Sequence, residues 1–560
     1  MNVDPKKLLL FCLIAITMVI AGFLVTGCRS ALTPQTAMST NADLNSNVSI
    51  NPTIYWGDSV PDDLISNIPR LDSINWVNDQ EAATFIIHGI DDGRVGDTDY
   101  QQSMRIYALV APFPTIIDDV SAEALQEFWQ GQTAPELVFT TLTMSEDTLE
   151  VISNVWGKPS DGIIQTLSTG ETLETWQEMA TWAIIPFEEL TSRWKVISID
   201  GISPLNPDEP LNSYPLAITY YLSGKPGSEA IWENYSSKLQ LAGSNRDTAK
   251  MTSVIMTGVT ALVRATADKM EINGINYPAQ DIGDWLRKAD ITHINNEISF
   301  IDGCPPPNPV STSLMFCSDP RYIGLLEDVG VDVVELTGNH LNDWKTDAVG
   351  LTLDMYRERG WQYFGGGRNL EDSRKPALFE QNGNRIAFIG CNAPGPVFDW
   401  ATEERGGAAS CDDYVWIIDA IRALKAEGYQ VVVTVQYYEN YSYYAGELQQ
   451  NAFRPLADAG AVVVQGSQAH TPKVMEFRQD AFIHYGLGNL FFDQMNVYDN
   501  GKRIDSTRQE FIDRYTFYDN HLISIELLTA MLEDYSRPRP MTLDERQALL
   551  EAVFSIGVWK

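Results

Sequence analysis

The sequence predicts an α/β protein, with mixed β-sheet layers flanked by helices in its C-terminal half and a mixed α/β region before them. Three observations carry that expectation. From Met251 onward, short β-branched runs alternate regularly with helical segments, the pattern of a largely parallel or mixed sheet covered by helices. Between about residues 51 and 240, apolar strand-like runs are separated by acidic loops, with fewer helical signals. Finally, the polar motifs Asn295-Asn296-Glu297, Gly338-Asn339-His340 and Gly466-Ser467-Gln468-Ala469-His470 each follow directly on an apolar run. Functional groups of open α/β sheets collect at the carboxyl ends of strands, so these motifs are expected to meet at one rim.

At 560 residues the chain exceeds one ordinary core, and 44% hydrophobic content suits folded domains. A formal charge of −36 repels nucleic-acid phosphates and argues against DNA or RNA as a partner. The N-terminus begins with Lys6-Lys7, an apolar run from Leu8 to Leu24, and Val25-Thr26-Gly27-Cys28. A basic start and an apolar stretch ending in small residues describe a secretory signal. The Cys after it resembles a bacterial lipobox, which makes residues 1–28 a lipoprotein signal peptide. The other reading is an uncleaved anchor helix. Either way the remainder is expected on the extracytoplasmic face of the cell membrane, with residues 29–50 as a polar tether.

Region 51–240 contributes the strand-like runs ATFIIHGI, RIYALVAPF, ELVFTTLTM, ATWAIIPF and YPLAITYYL, with helices expected at Ser121–Gln130 and Leu173–Trp182. Lys238–Lys250 is polar and reads as a linker. Residues 251–500 then give strands at SVIMTG, DITHIN, DVVELTG, RIAFIG, VVVTVQ, AVVVQG and FIHYGLG. Helices are expected between them at 281–288, 321–329, 346–359, 415–427 and 448–459, and a strand/helix extension at 501–560. Cys304, Cys317, Cys391 and Cys411 are an even set in an exported chain, which favours disulfides. Three connectivities exist; the local pairs Cys304–Cys317 and Cys391–Cys411 are preferred.

The motif residues suit a divalent-metal centre. Glu297 offers a carboxylate, Asn339 an amide oxygen and His470 an imidazole, with Gln468 and Gln436 as further oxygen donors. His340, next to Asn339, is placed to donate a proton; Glu439 and Arg264 complete the candidate catalytic set. His293 and His484 lie inside strand-like runs and read as core histidines. Tyr437, Tyr438, Tyr441, Tyr443 and Tyr444 line either a ligand cleft or a packed aromatic edge.

In order along the chain, Gly258-Val259 to Arg264, Asn295-Asn296-Glu297, Leu336 to Asp343, Gly365-Gly366-Gly367 to Pro376, Ala459 to His470, and Tyr485 to Leu490 resemble successive motifs of the capsule-synthesis protein CapA family. The resemblance runs from about 253 to 494. It implies a metallophosphoesterase-like fold and a role in capsule or poly-γ-glutamate-type polymer formation. It also departs from the family pattern: Val259 stands where an Asp is expected, Gln436-Tyr437-Tyr438-Glu439 replaces a His-Trp-Gly segment, and Gln468 replaces the first His of a paired-His loop. Those changes leave ligands for one divalent ion (Mn, Zn or Fe) rather than two. Two functions follow as expectations. One is a single-metal hydrolase with water activated at Glu297, Asn339 and His470 and His340 as general acid. The other is a non-catalytic binding or assembly lipoprotein that recognises a cell-envelope polymer or anionic ligand alongside envelope-assembly partners.

Overall fold

The computed structural model describes residues 51–57, 60–89, 99–175, 181–344, 346–499, 501–557 and 559. The signal segment and tether, 1–50, lie outside the described residues. Pro52–Lys560 forms one compact unit.

Residues 53–224 build a ten-stranded mixed sheet around the long strand Tyr100–Pro112, which pairs antiparallel with Ala217–Gly224, Thr181–Pro186 and Trp194–Ile199. Leu109, Ile184 and Ile197 from these strands are fully buried in one apolar cluster. The helix Ala122–Trp129 starts where Ser121 Oγ accepts a hydrogen bond from the Ala124 amide at 3.1 Å, an N-cap that satisfies an otherwise orphaned donor. The helix expected at 173–182 differs: the helix there is Thr169–Thr175, and Thr181–Pro186 is a strand. Its apolar TWAIIP run pairs with strands on both sides, and that burial overrides the local helical pattern. The expected linker is pinned rather than free. Asn245 bonds both backbone groups of Ile106, at 2.8 and 3.0 Å, and Tyr518 Oη accepts from the Asp247 amide at 3.0 Å.

The C-terminal half is α/β, two mixed sheets flanked by helices. The first sheet runs Gln362–Phe364, Val333–Glu335, Ile291–Asn296, Met251–Met256, Gln509–Tyr518, His521–Glu533 and Arg537–Pro540. Its first four strands are mutually parallel, and Gln509–Tyr518 joins antiparallel. The second runs Ala377–Gln381, Asn384–Asn392, Gln430–Gln436, Val463–Ser467, Ala481–His484 and Met475–Arg478, with the middle four parallel. Alternation along each strand decides what each face meets. Val254 and Val432 point into a core shared by the two sheets, with Phe388, Phe482 and Phe511. Ile255 faces one outer helical layer, and Val431 and Val433 face the other. The result is helix, sheet, sheet, helix. Residues 509–540, expected as an extension, supply three strands of the first sheet; the helix Leu543–Phe554 follows, opened by a Thr542/Glu545 capping box. The helix Arg264–Asn273, absent from the sequence expectation, carries a weak apolar stripe and begins at a residue with φ +43°.

The disulfides are Cys304–Cys317 and Cys391–Cys411. The second is buried between a strand and its helical layer. It spans 20 residues, a loop whose closure entropy in the unfolded chain corresponds to about 2–4 kcal/mol. Replacing Cys391 and Cys411 together by Ala is therefore expected to lower unfolding free energy by about 2–4 kcal/mol in chemical denaturation. Reducing the wild type, which also opens Cys304–Cys317, should lower it by at least as much.

Candidate functional site

The carboxyl ends of the parallel strands in both sheets converge. Glu297 follows Ile291–Asn296, Thr337 to His340 follow Val333–Glu335, Gln436 ends its strand, and Gln468 follows Val463–Ser467. Gly338 permits the closest approach: a Cβ there would lie 2.8 Å from the Glu297 Cα and 2.9 Å from its carbonyl oxygen. Val259 and Thr260 pair in parallel with Asn295 and Asn296, and the Glu297 amide donates to the Thr260 carbonyl at 3.1 Å.

Four of the sequence-predicted residues meet at one point. Gln436 Nε2 donates toward Glu297 Oε1 at 3.3 Å, Asn339 Oδ1 at 2.9 Å and Gln468 Oε1. Glu297, Gln436 and Gln468 are buried and Asn339 is half-buried. The amide has two hydrogens for three acceptor oxygens, so the centre is rich in acceptors and has a nitrogen at its middle. Its orientation is set from behind. Ser467 Oγ lies 2.8 Å from Gln436 Oε1 and 3.1 Å from Glu335 Oε1, Thr337 Oγ1 donates to the same Glu335 oxygen, and His293 Nε2 meets Glu335 Oε2 at 3.1 Å. Burial alone would push the Glu335 carboxyl up. The His293 bond and charge, with Thr337, more than reverse this and hold it below its ordinary value. Glu335 is absent from the sequence-predicted set, although a glutamate inside the apolar run VVEL is itself a signal of a buried, paired charge.

The remaining predicted residues take other partners. His470 is not among those around the Gln436 amide: its Nδ1 is bonded to Asn489 Oδ1 at 2.7 Å and its ring packs on Phe492 at 5.4 Å. Gln468 and His470 both adopt positive φ, +70° and +51°, strain that their loop must hold in place. Arg264 forks onto Asp493 and lies between Phe316 and Phe492, 5.1 and 5.2 Å from their centroids. Its carboxylate partner is thus within the chain. Glu439 is exposed and accepts from Tyr441 Oη; nothing among the described residues ties it to the cluster, because the chain leaves the strand end outward after Gln436. His293 and His484 are buried, paired with Glu335 and Asp513. Of the tyrosine group, Tyr437 packs on Phe453 and Tyr438, while Tyr438 and Tyr444 are exposed.

His340 sits at the accessible side. Its Nδ1 is 2.6 Å from Asp343 Oδ2, which also accepts from the Phe316 amide at 2.9 Å, and the Phe316 ring covers the imidazole at 4.7 Å. Burial lowers the His340 value, but the Asp343 bond and the charges of Glu297, Asp343 and Asp399 outweigh it and raise it. Asp399 accepts from the Asn342 amide at 2.7 Å through Oδ1. Burial, reinforced by Asp343, pushes its carboxyl from 3.8 up to about 7, against the pull of the Asn342 bond and of His340.

Among the described residues no group of three or more His, Cys, Asp or Glu side chains is arranged to hold a metal. The donors that do converge are one carboxylate and amide oxygens, with a Gln436 nitrogen among them and the apolar Val259 nearby in register with Asn295. That chemistry is a poor match to manganese, zinc or iron.

Fold and site together define a metallophosphoesterase-like α/β domain with a carboxamide-centred polar cluster at its strand ends. Residues 253–494 match the family described as bacterial capsule synthesis protein PGA_cap. The chain is 22% identical over 302 residues to the capsule biosynthesis protein CapA of Bacillus anthracis, covering 53% of this chain and 71% of that one. It is 27% identical over 179 residues to the PGA biosynthesis protein CapA of Bacillus subtilis, covering 32% of this chain and only 47% of that one. Among solved structures, a hypothetical protein from Thermus thermophilus shares 14% identity at a TM-score of 0.31, covering 50% of this chain and 100% of the other. Residues 253–494 thus carry a domain of the bacterial capsule-synthesis family, similar to the two CapA proteins.

Two outcomes follow from the site. Both His340 and Asp399 bind protons more tightly folded than unfolded, so their stabilisation is full at low pH and is lost as pH rises. For Asp399 the loss falls between about pH 4 and 7. Asp399→Asn should flatten that stretch of the stability profile and exceed wild type by about 2–4 kcal/mol at pH 8 in urea titrations. Glu335→Gln, which disturbs the buried hydrogen bonds to His293, Thr337 and Ser467, should cost about 1–3 kcal/mol at pH 7 by the same measurement.

Proposed function

We propose that this protein is a membrane-tethered, extracytoplasmic component in the synthesis or export of a capsule or poly-γ-glutamate-type envelope polymer. In this reading the strand-end cluster binds or organises; it is not a metal-dependent phosphoesterase. The Gln436 carboxamide carries the reading, because it turns its nitrogen toward Glu297, Asn339 and Gln468 where a hydrolase needs a cation and an activated water. The similarity of residues 253–494 to the capsule-synthesis family supports the polymer role. Two disulfides support an oxidising compartment, and the basic, apolar, Cys28-terminated leader supports a lipid anchor. No helix of the described residues is long and apolar enough to cross a membrane.

Elemental analysis tests the reading. Purified wild type is expected to carry no stoichiometric manganese, zinc or iron and to leave bis(p-nitrophenyl) phosphate intact. Gln436→His with Gln468→His, which restores two imidazole donors beside Glu297, is expected to gain about one metal per chain. Stoichiometric metal in wild type that is lost in Glu297→Gln, together with phosphodiester hydrolysis, would overturn it.

A further inference from the structure

Beside the strand-end cluster, the Cys304–Cys317 loop and the start of helix Arg264–Asn273 border an open pocket of about 230 Å³. This is below the roughly 300–1,000 Å³ of pockets for drug-sized ligands, so its occupant is small. Its walls are Pro305 to Pro307, Phe316, Tyr322 and Trp344; polar edges come from Asn308, Ser311 and Ser313. Among the described residues Arg264 is the only charged side chain in the lining, and no carboxylate lines the space. In a chain of net charge −36, a cavity edged by an arginine and by no carboxylate is a departure from its surroundings, although the arginine is itself paired with Asp493 outside the lining.

The guanidinium is held rigidly. Asp493 takes Nε at 3.2 Å and Nη2, the Ala265 amide donates to the same carboxylate at 3.0 Å, and the rings of Phe316 and Phe492 flank the plane. Among the described residues Nη1 has no hydrogen-bond partner, so one edge of a preorganised fork remains. Phe316 is shared: one neighbour is Arg264 and another is His340.

The geometry points to a carboxylate-binding subsite in this cavity, taking an amino-acid-sized acid or an acidic residue of a chain through the free edge of Arg264. A planar carboxylate suits a single guanidinium edge, whereas a phosphate dianion calls for more positive charge than this lining offers. The proline and aromatic walls suit the methylenes of such a residue, and Ser311 and Ser313 supply hydroxyls at the mouth. This deepens the proposed binding role and rests on it.

Glutarate and glutaramide, matched in size and differing in charge, test the subsite by calorimetric titration of the full extracytoplasmic chain. Glutarate is expected to bind wild type at least about ten-fold more tightly than glutaramide. Arg264→Lys, which keeps the charge and removes the fork, is expected to weaken glutarate about ten-fold. Ser311→Phe fills the cavity from the loop without touching Arg264, and should abolish binding with an unchanged melting temperature; it decides the matter if Arg264→Lys does not fold. Equal affinity for the two probes, no binding of either, or Ser311→Phe binding like wild type would each overturn the subsite. Metal content measured on the same preparation separates the two claims. Metal-free protein that ignores glutarate sinks only the subsite, and metal-loaded protein that binds glutarate sinks only the reading without a metal.

Discussion

The C-terminal centre depends on which way one side-chain amide faces. Gln436 Oε1 is taken by Ser467, and Ser467 stands on Glu335, whose other oxygen is fixed by His293. All of these are buried, so the surrounding medium strengthens every bond in the chain and makes any unpaired member costly. With its oxygen committed, the amide can present only its nitrogen to Glu297, Asn339 and Gln468. The Ser467 hydroxyl on Gln436 Oε1 thus leaves donor rather than acceptor character at the strand ends. Chemistry at the rim follows from a contact one layer beneath it.

Much of this architecture is legible in the sequence, because strand–helix alternation and hydrophobic period are local properties. Every strand and helix expected between 251 and 500 has its counterpart in the two-sheet fold, and the convergence of Glu297, Asn339, Gln436 and Gln468 follows from their shared position after parallel strands. Partner choice is not local. Arg264 meets Asp493 across 229 positions, and His470 meets Asn489 through a loop with positive φ that no period announces. Glu439 fails to join because only the path of the loop after Gln436 decides where it points. Glu335 escapes notice for the opposite reason: the periodicity that identifies its strand treats the residue as one more inward position.

The N-terminal half is bound to this framework by specific contacts rather than by a slack connection. Phe113 packs against Phe477 and Phe482 of the second sheet, and Phe187 against Tyr518 of the first. Asp118 is gripped by Lys195 at 2.7 Å and by both Arg546 arms at 2.8 Å, which ties the N-terminal sheet to the last helix. Burial pulls Lys195 down to about 8 even beside that carboxylate. Polar composition makes Lys238–Lys250 read as a linker; the tertiary partners of Asn245 and Asp247 turn it into a seam.

The departures from the family pattern form a self-consistent set in charge. A centre built for a divalent ion gathers carboxylates and imidazoles whose mutual repulsion the ion relieves. Without the ion, each further carboxylate would be a buried charge lacking a partner, at a cost of several kcal/mol. Here Val259 contributes no charge, Gln436 and Gln468 contribute dipoles, and Glu297 alone remains anionic, with His340 close enough to feel its field. A single substitution among these positions would leave either an acceptor without a donor or an anion without a cation. Taken together they leave two amide hydrogens facing one carboxylate and two amide oxygens, a hydrogen-bonded knot that draws the strand ends together and carries a single negative charge beside His340.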